Sequence, residues 1–214
     1  MSSREIPGEL STPRYQVRRR AESALDWSAA DCLNRFQFPW ESTPPPATEF
    51  RALWDDTSLH FRFDCVDDDI VLGAGETLKE QVLGSDRVEI FLAPDLGLAP
   101  YYAFEMSPLA ETLAYEARFY RQYNWDWSCP GLTITAGIES GRYHVEGALA
   151  LDTLRALDVL KPGCAEFYAG LYRAEFSHRP DGGVHSGWMP WVDPQTNRPD
   201  FHVPASFGVF ELVG

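Results

Sequence analysis

Glu89 and Glu105 have the most chemistry to offer in this chain. The strings Asp86-Arg-Val-Glu-Ile-Phe91 and Tyr101-Tyr-Ala-Phe-Glu-Met106 alternate polar and apolar residues, the period of a strand with one face buried. Val88, Ile90 and Leu92 share one face with Tyr102, Phe104 and Met106 of the next run, so Arg87, Glu89, Tyr101 and Glu105 take the other. In 112–120, Leu113, Tyr115 and Phe119 read as inward, which adds Glu116, Arg118 and Tyr120 to the outward set. Two carboxylates on neighbouring strands repel unless cations or hydroxyl donors lie between them. That arrangement suits a ligand rich in hydroxyls, such as a sugar. A solvated ladder of ion pairs is the plainer use of the same residues. A glycosidase acid and nucleophile would be a third use, but no glycosidase signature surrounds them.

Other clusters offer less. Asp67, Asp68 and Asp69 close a strand, and carboxylates in a tight turn can hold calcium, which takes six to eight oxygens. Their spacing is not that of an EF-hand. Trp125 and Trp127 sit between strands, either as a platform for the apolar face of a sugar or as a cover for one end of the core. Cys32, Cys65, Cys129 and Cys164 include no C-x-x-C pair. Five scattered His make no zinc pattern. Met106, Met189 and these His are material for haem ligation, but nothing sets them opposite one another. No G-x-S-x-G elbow, Walker loop or dinucleotide fingerprint is present.

The elements that must position these residues are short. The 214 residues make one ordinary domain, large enough to fold without staples. Nine alternating runs, at 48–54, 58–66, 86–93, 101–107, 112–120, 132–139, 142–151, 166–176 and 207–213, are separated mostly by Gly, Pro, Asn or Asp. No long helix lies between them, so a parallel βαβ sheet is excluded. The expected fold is all-β, a two-sheet antiparallel β-sandwich of immunoglobulin-like or jelly-roll-like type. It spans 48–214 behind an irregular covering segment, 1–47. In that segment Ser28 would cap a short helix from Ala29 to Phe36, and Pro44-Pro-Pro46 would stop it. Asp55-Asp56 and Ser140-Gly141 mark hairpin turns, and Thr153–Leu157 allows one helical turn.

Charge sets the partners. The formal net charge is −14, which repels a phosphate backbone and argues against nucleic acid and anionic membrane surfaces. The N-terminus has no apolar signal core, and no run of 18 apolar residues exists. With Met1 as the start, the expected compartment is the cytoplasm.

Several strings occur in order: Leu53-Trp-Asp-Asp-Thr-Ser-Leu-His60, Asp64-Cys-Val-Asp-Asp68, Asp86-Arg-Val-Glu-Ile-Phe91, Tyr101-Tyr-Ala-Phe-Glu-Met-Ser-Pro108, Tyr172-Arg173, Trp191 and Phe201-His-Val-Pro-Ala-Ser-Phe-Gly208. The series resembles the family 9 carbohydrate-binding modules and their relatives among the DOMON-like sandwiches, over about residues 48–213. The resemblance implies a non-catalytic module that holds the end of a sugar chain between aromatic rings, often with structural calcium. It implies that Glu89 binds hydroxyls, that Asp67 is the acidic residue before the site, and that Phe201 stands where a sandwiching Trp is expected. Glu105 falls where the characterised sugar binders carry Arg. No aromatic lies in 79–85, where the first sandwiching Trp belongs, so Trp125, Trp127 or Trp188 would replace it. The expected ligand-binding set is thus Asp67, Glu89, Glu105, Arg118, Trp125, Trp127, Arg173, Trp191 and Phe201, and the expected calcium ligands are Asp67, Asp68 and Asp69. The expected partner is a mono- or oligosaccharide. A protein partner or a homo-oligomer, with the sugar site lost, is the alternative.

Overall fold

The alternation does produce strands. The computed structural model describes residues 12–21 and 24–214. Its strands are β1 (Arg14–Arg19), β2 (Thr48–Trp54), β3 (Ser58–Val66), β4 (Arg87–Ala93), β5 (Tyr101–Met106), β6 (Thr112–Arg118), β7 (Gln122–Asn124), β8 (Leu132–Glu139), β9 (Arg142–Ala150), β10 (Glu166–His178), β11 (Val184–Pro190) and β12 (Gly208–Val213). Two six-residue helices interrupt them, α1 (Leu78–Leu83) and α2 (Leu151–Ala156). None of the described helices is long and apolar enough to cross a membrane.

Hydrogen bonds join every strand into a single curled sheet in the order β7-β6-β5-β4-β10-β12-β1-β2-β3-β9-β8, with β11 on β10. The sheet is therefore mixed and continuous, not two separate antiparallel sheets. The exception to antiparallel pairing is β1, which lies parallel to both β12 and β2. A parallel neighbour needs a long connection, and residues 20–47 provide it between β1 and β2. The sequence expectation of an irregular 1–47 is corrected at 14–19, where Tyr15 and Val17 are buried and alternate with Arg and Gln. Residues 1–11, 22 and 23 of that segment lie outside the described residues. The helix expected at 29–36 is also absent. Asp26, not Ser28, caps a single 3-10 turn at Trp27–Ala29, and Leu33 instead bridges to Phe50.

Curling brings the two ends of the sheet face to face over one core. Phe50, Phe61, Phe63 and Val145 from one half meet Val88, Ile90, Leu92 and Phe104 from the other. Each such side chain contributes roughly 1.5–3 kcal/mol on burial. The outer face of β4 and β5 is buried as well. Phe91, Tyr101, Ala103, Tyr115 and Tyr172 form a second cluster there, under Val82 of α1 and under Phe201 and Phe207. β4 and β5 are thus buried along their whole length. This second layer is where the carboxylates lie.

Candidate functional site

Register places Glu89 directly across from Glu105. On the other side of β4, Glu89 faces Tyr172 of β10. Both carboxylates are nearly sealed, at 2% and 4% exposure. The expectation that they look straight into solvent is corrected. They lie in a cavity of about 430 Å³ in the second layer, which Lys79, Trp125, Trp188 and Phe201 also line.

A single guanidinium serves both acids. Arg87 Nε donates to Glu105 Oε2 at 2.7 Å and lies 2.9 Å from Glu89 Oε1. Its hydrogen points at Glu105, so Glu89 Oε1 has a charge beside it but receives no hydrogen bond among the described residues. Tyr115 completes Glu105 by donating to Oε1 at 2.8 Å. Burial, together with the neighbouring charge of Glu105, pushes the Glu89 carboxyl up to about 8. Burial opposes the charge on Arg87, but the two acids outweigh it and raise its pKa.

The wall is aromatic and partly basic. Thr77 and Glu80 cap α1 reciprocally, which fixes Lys79 at the rim. Its ammonium sits 3.4 Å above the Trp125 ring, and no carboxylate lies within 4.0 Å of it among the described residues. Trp125 in turn packs on Tyr115 and Tyr123. Arg121 is held by Asp200 at 2.8 Å. His202 bonds the Tyr101 hydroxyl at 2.7 Å through Nδ1. Burial and the Arg121 charge push it down to about 4, so it is neutral at neutral pH.

Phe201 is positioned by Tyr172, whose ring stacks on it at 4.1 Å and 12°. The Tyr172 hydroxyl is fixed by Ser206 Oγ at 2.8 Å. This geometry needs Gly170, because a Cβ there would lie 2.0 Å from the Tyr172 hydroxyl oxygen. Gly170→Ala is expected to displace Tyr172 and with it the Phe201 wall, costing about 1–3 kcal/mol of stability. A denaturant titration measures it.

Of the residues anticipated from sequence, Glu89, Glu105, Trp125, Trp188 and Phe201 line this cavity. The others do not. Trp127 packs against Tyr102 and Phe104 in the main core. Arg118 faces away because Leu113, Tyr115 and Ala117 of β6 belong to the second cluster, which reverses the expected parity of that strand. Trp191 is 8% exposed and packs on Phe210. Arg173 and Asp67 sit between the two halves of the sheet, where Arg173 Nη2 donates to Asp67 Oδ2 at 3.2 Å. Lys79, Tyr115, Tyr123, Arg121, Asp200 and His202 were not anticipated. They come from α1, β6, the turn between β6 and β7, β7 and the 199–202 loop, and no local motif links them.

The calcium expectation changes too. Asp68 and Asp69 are exposed, and Asp69 accepts from the His178 backbone N–H at 2.6 Å. Asp67 instead joins Asp86 and Glu175 in a tight carboxylate trio. Arg173 already pairs with Asp67 and Glu175. Both Asp86 oxygens accept backbone N–H groups, from Val71 and Phe176. The trio is paired with a guanidinium, Glu175 Oε2 receives no hydrogen bond among the described residues, and Asp68 and Asp69 are not part of it.

A curled, all-β scaffold carrying an aromatic-walled cavity over paired carboxylates defines a small-ligand binding module. The family described as Carbohydrate family 9 binding domain-like matches residues 22–214, and the chain belongs to it. Three solved structures share the fold. One is a provisionally assigned carbohydrate-binding protein from Bacteroides uniformis, with a TM-score of 0.75 and 15% identity over 95% of this chain and 100% of that one. Another is a family 9 carbohydrate-binding module from Caldicellulosiruptor kristjanssonii in complex with cellotriose, with a TM-score of 0.62 and 16% identity over 94% of each chain. The third, from the same organism, is a family 9 module in complex with glucose, with a TM-score of 0.57 and 17% identity over 94% and 96%. Comparison with curated proteins finds no match.

Proposed function

We propose that the chain is a non-catalytic module that holds a sugar, or the end of an oligosaccharide, in the cavity above Glu89 and Glu105. The carrying observation is the Glu89 oxygen that is ion-paired with Arg87 but receives no hydrogen bond among the described residues, on a sealed floor beneath aromatic walls. A buried acceptor without a donor costs about 1–3 kcal/mol, and a sugar hydroxyl would satisfy it while the sugar ring covers Trp125, Trp188 or Phe201. Packing supports reading the curled sheet as a β-sandwich, its two halves closing on the main core. The bound glucose and cellotriose of the Caldicellulosiruptor structures support the ligand class.

Ring stacking adds about 0.5–1.5 kcal/mol beyond area burial, so a dissociation constant nearer millimolar than nanomolar is expected. Trp125 is 37% exposed, and its removal spares the main core. Trp125→Ala is therefore expected to weaken cellotriose binding roughly tenfold while the fold stays intact. Calorimetry on both forms, with circular dichroism as the control, measures this. No heat from the wild type at millimolar cellotriose or glucose, or equal binding by the variant, overturns the reading.

A further inference from the structure

The cavity floor holds two carboxylates and one guanidinium. Arg121 does not redress that balance, because Asp200 holds it, and His202 is uncharged at neutral pH. The remaining cation, Lys79, stands at the rim on Trp125. The floor is thus short of one positive charge, and the shortage is localised on Glu89 Oε1, the acceptor without a donor. Burial and Glu105 push the Glu89 carboxyl up to about 8, so at neutral pH a proton balances the empty floor. The walls are also suited to a cation. The Lys79 ammonium on the Trp125 face shows that these rings already hold one, as the negative face of an indole favours.

We infer that the preferred ligand is an amino sugar whose free ammonium docks between Glu89 and Glu105 while its ring lies against the aromatic wall. This rests on the sugar-binding reading and narrows its ligand class. A hydroxyl can donate to Glu89 but brings no charge. An ammonium donates three hydrogens and supplies the missing cation in place of the proton. An N-acetylated sugar loses both advantages, because its amide is neutral and bulkier.

The test compares glucosamine, glucose and N-acetylglucosamine by calorimetry at about pH 7, where an α-amino group is still largely protonated. Glucosamine is expected to bind roughly tenfold more tightly than glucose, because two charge-assisted hydrogen bonds, to Glu89 and Glu105, outweigh the roughly tenfold cost of displacing the Glu89 proton at pH 7. N-acetylglucosamine is expected to show no such gain. In Glu89→Gln the ratio of glucosamine to glucose affinity is expected to fall towards one. In Lys79→Met it is expected to rise, because a like charge has left the rim. Equal binding of glucose and glucosamine by the wild type overturns the inference and leaves the sugar-binding reading intact. Failure of all three sugars overturns that reading itself. The wild-type comparison decides the matter even if a variant does not fold.

Discussion

Arg173→Leu is expected to lose roughly 3–5 kcal/mol of folding stability at neutral pH, the usual cost of stripping one partner from a buried ion pair. Arg173 is fully buried. From β10 its Nη1 donates to Thr48 Oγ1 at 2.9 Å, and its Nη2 donates to the Val66 carbonyl at 3.0 Å. β2 and β3 are separated from β10 by β12 and β1 in the sheet, so one side chain ties together parts of the sheet that share no ladder. It is also the cation for Asp67 and Glu175. Leucine fills the space but leaves these acids facing each other in a poor solvent for charge. Arg173→Lys keeps the charge but not the planar fork, so it should fall between leucine and wild type. Adding Glu175→Gln to Arg173→Leu removes a buried carboxyl that has lost its cation and must hold a proton to stay neutral, and should restore part of the loss towards alkaline pH. Denaturant midpoints at constant m-value measure all four proteins. A loss below about 1 kcal/mol would contradict the staple, since that is the size of a surface substitution.

This staple also shows what local sequence could and could not disclose. The alternation in 86–93 and 101–107 correctly assigned Val88, Ile90, Leu92, Tyr102, Phe104 and Met106 to the main core, and it put Glu89 and Glu105 on a shared opposite face. One strand later, at β6, alternation read against a single core assigns the wrong face. With a second apolar cluster behind β4 and β5, the apolar parity of Leu113, Tyr115 and Ala117 points to that cluster and carries Arg118 away from the site. The same assumption made the carboxylates solvent-exposed, when α1 and the 199–207 segment cover them. α1 is only six residues, half of them polar, too short for a 3.6-residue period to register. Its capping box, Thr77 with Glu80, is the signal that would have found it. β1 escaped notice because its two buried residues stand among Arg and Gln. The Asp67, Asp86 and Glu175 trio had no local signal at all. Asp86 meets the Phe176 backbone across 90 positions of chain, a proximity that only the long register between β4 and β10 creates.

Stability is expected to fall by several kcal/mol as pH rises from about 6.5 to about 8.5, an interval over which most folded proteins change little. Burial pushes Asp86 up to about 7 despite its two backbone hydrogen bonds. Burial also raises Glu175 to about 8, against the pull of Arg173, and Glu89 reaches about 8. In the unfolded chain these acids titrate near 4. The folded state therefore binds more protons between those limits, and stability falls with rising pH until the folded groups ionise. One unit on one group corresponds to about 1.4 kcal/mol, so three groups suffice for the stated size. His202 works the other way. Its pKa is lowered to about 4, so the unfolded chain gains a proton first as pH drops below about 6.5, the ordinary histidine value. Below that point His202 offsets part of the gain from the acids, and the steepest unopposed slope lies above it. Glu89→Gln and Glu175→Gln should each flatten that slope, because each removes one group that must ionise while buried. Arg173→Leu should steepen it, because the acids it leaves behind hold their protons more tightly. Thermal or urea midpoints from about pH 5 to 9 measure the trend, and a midpoint that does not fall from about 6.5 to about 8.5 would show that these carboxylates are already ionised in the folded chain.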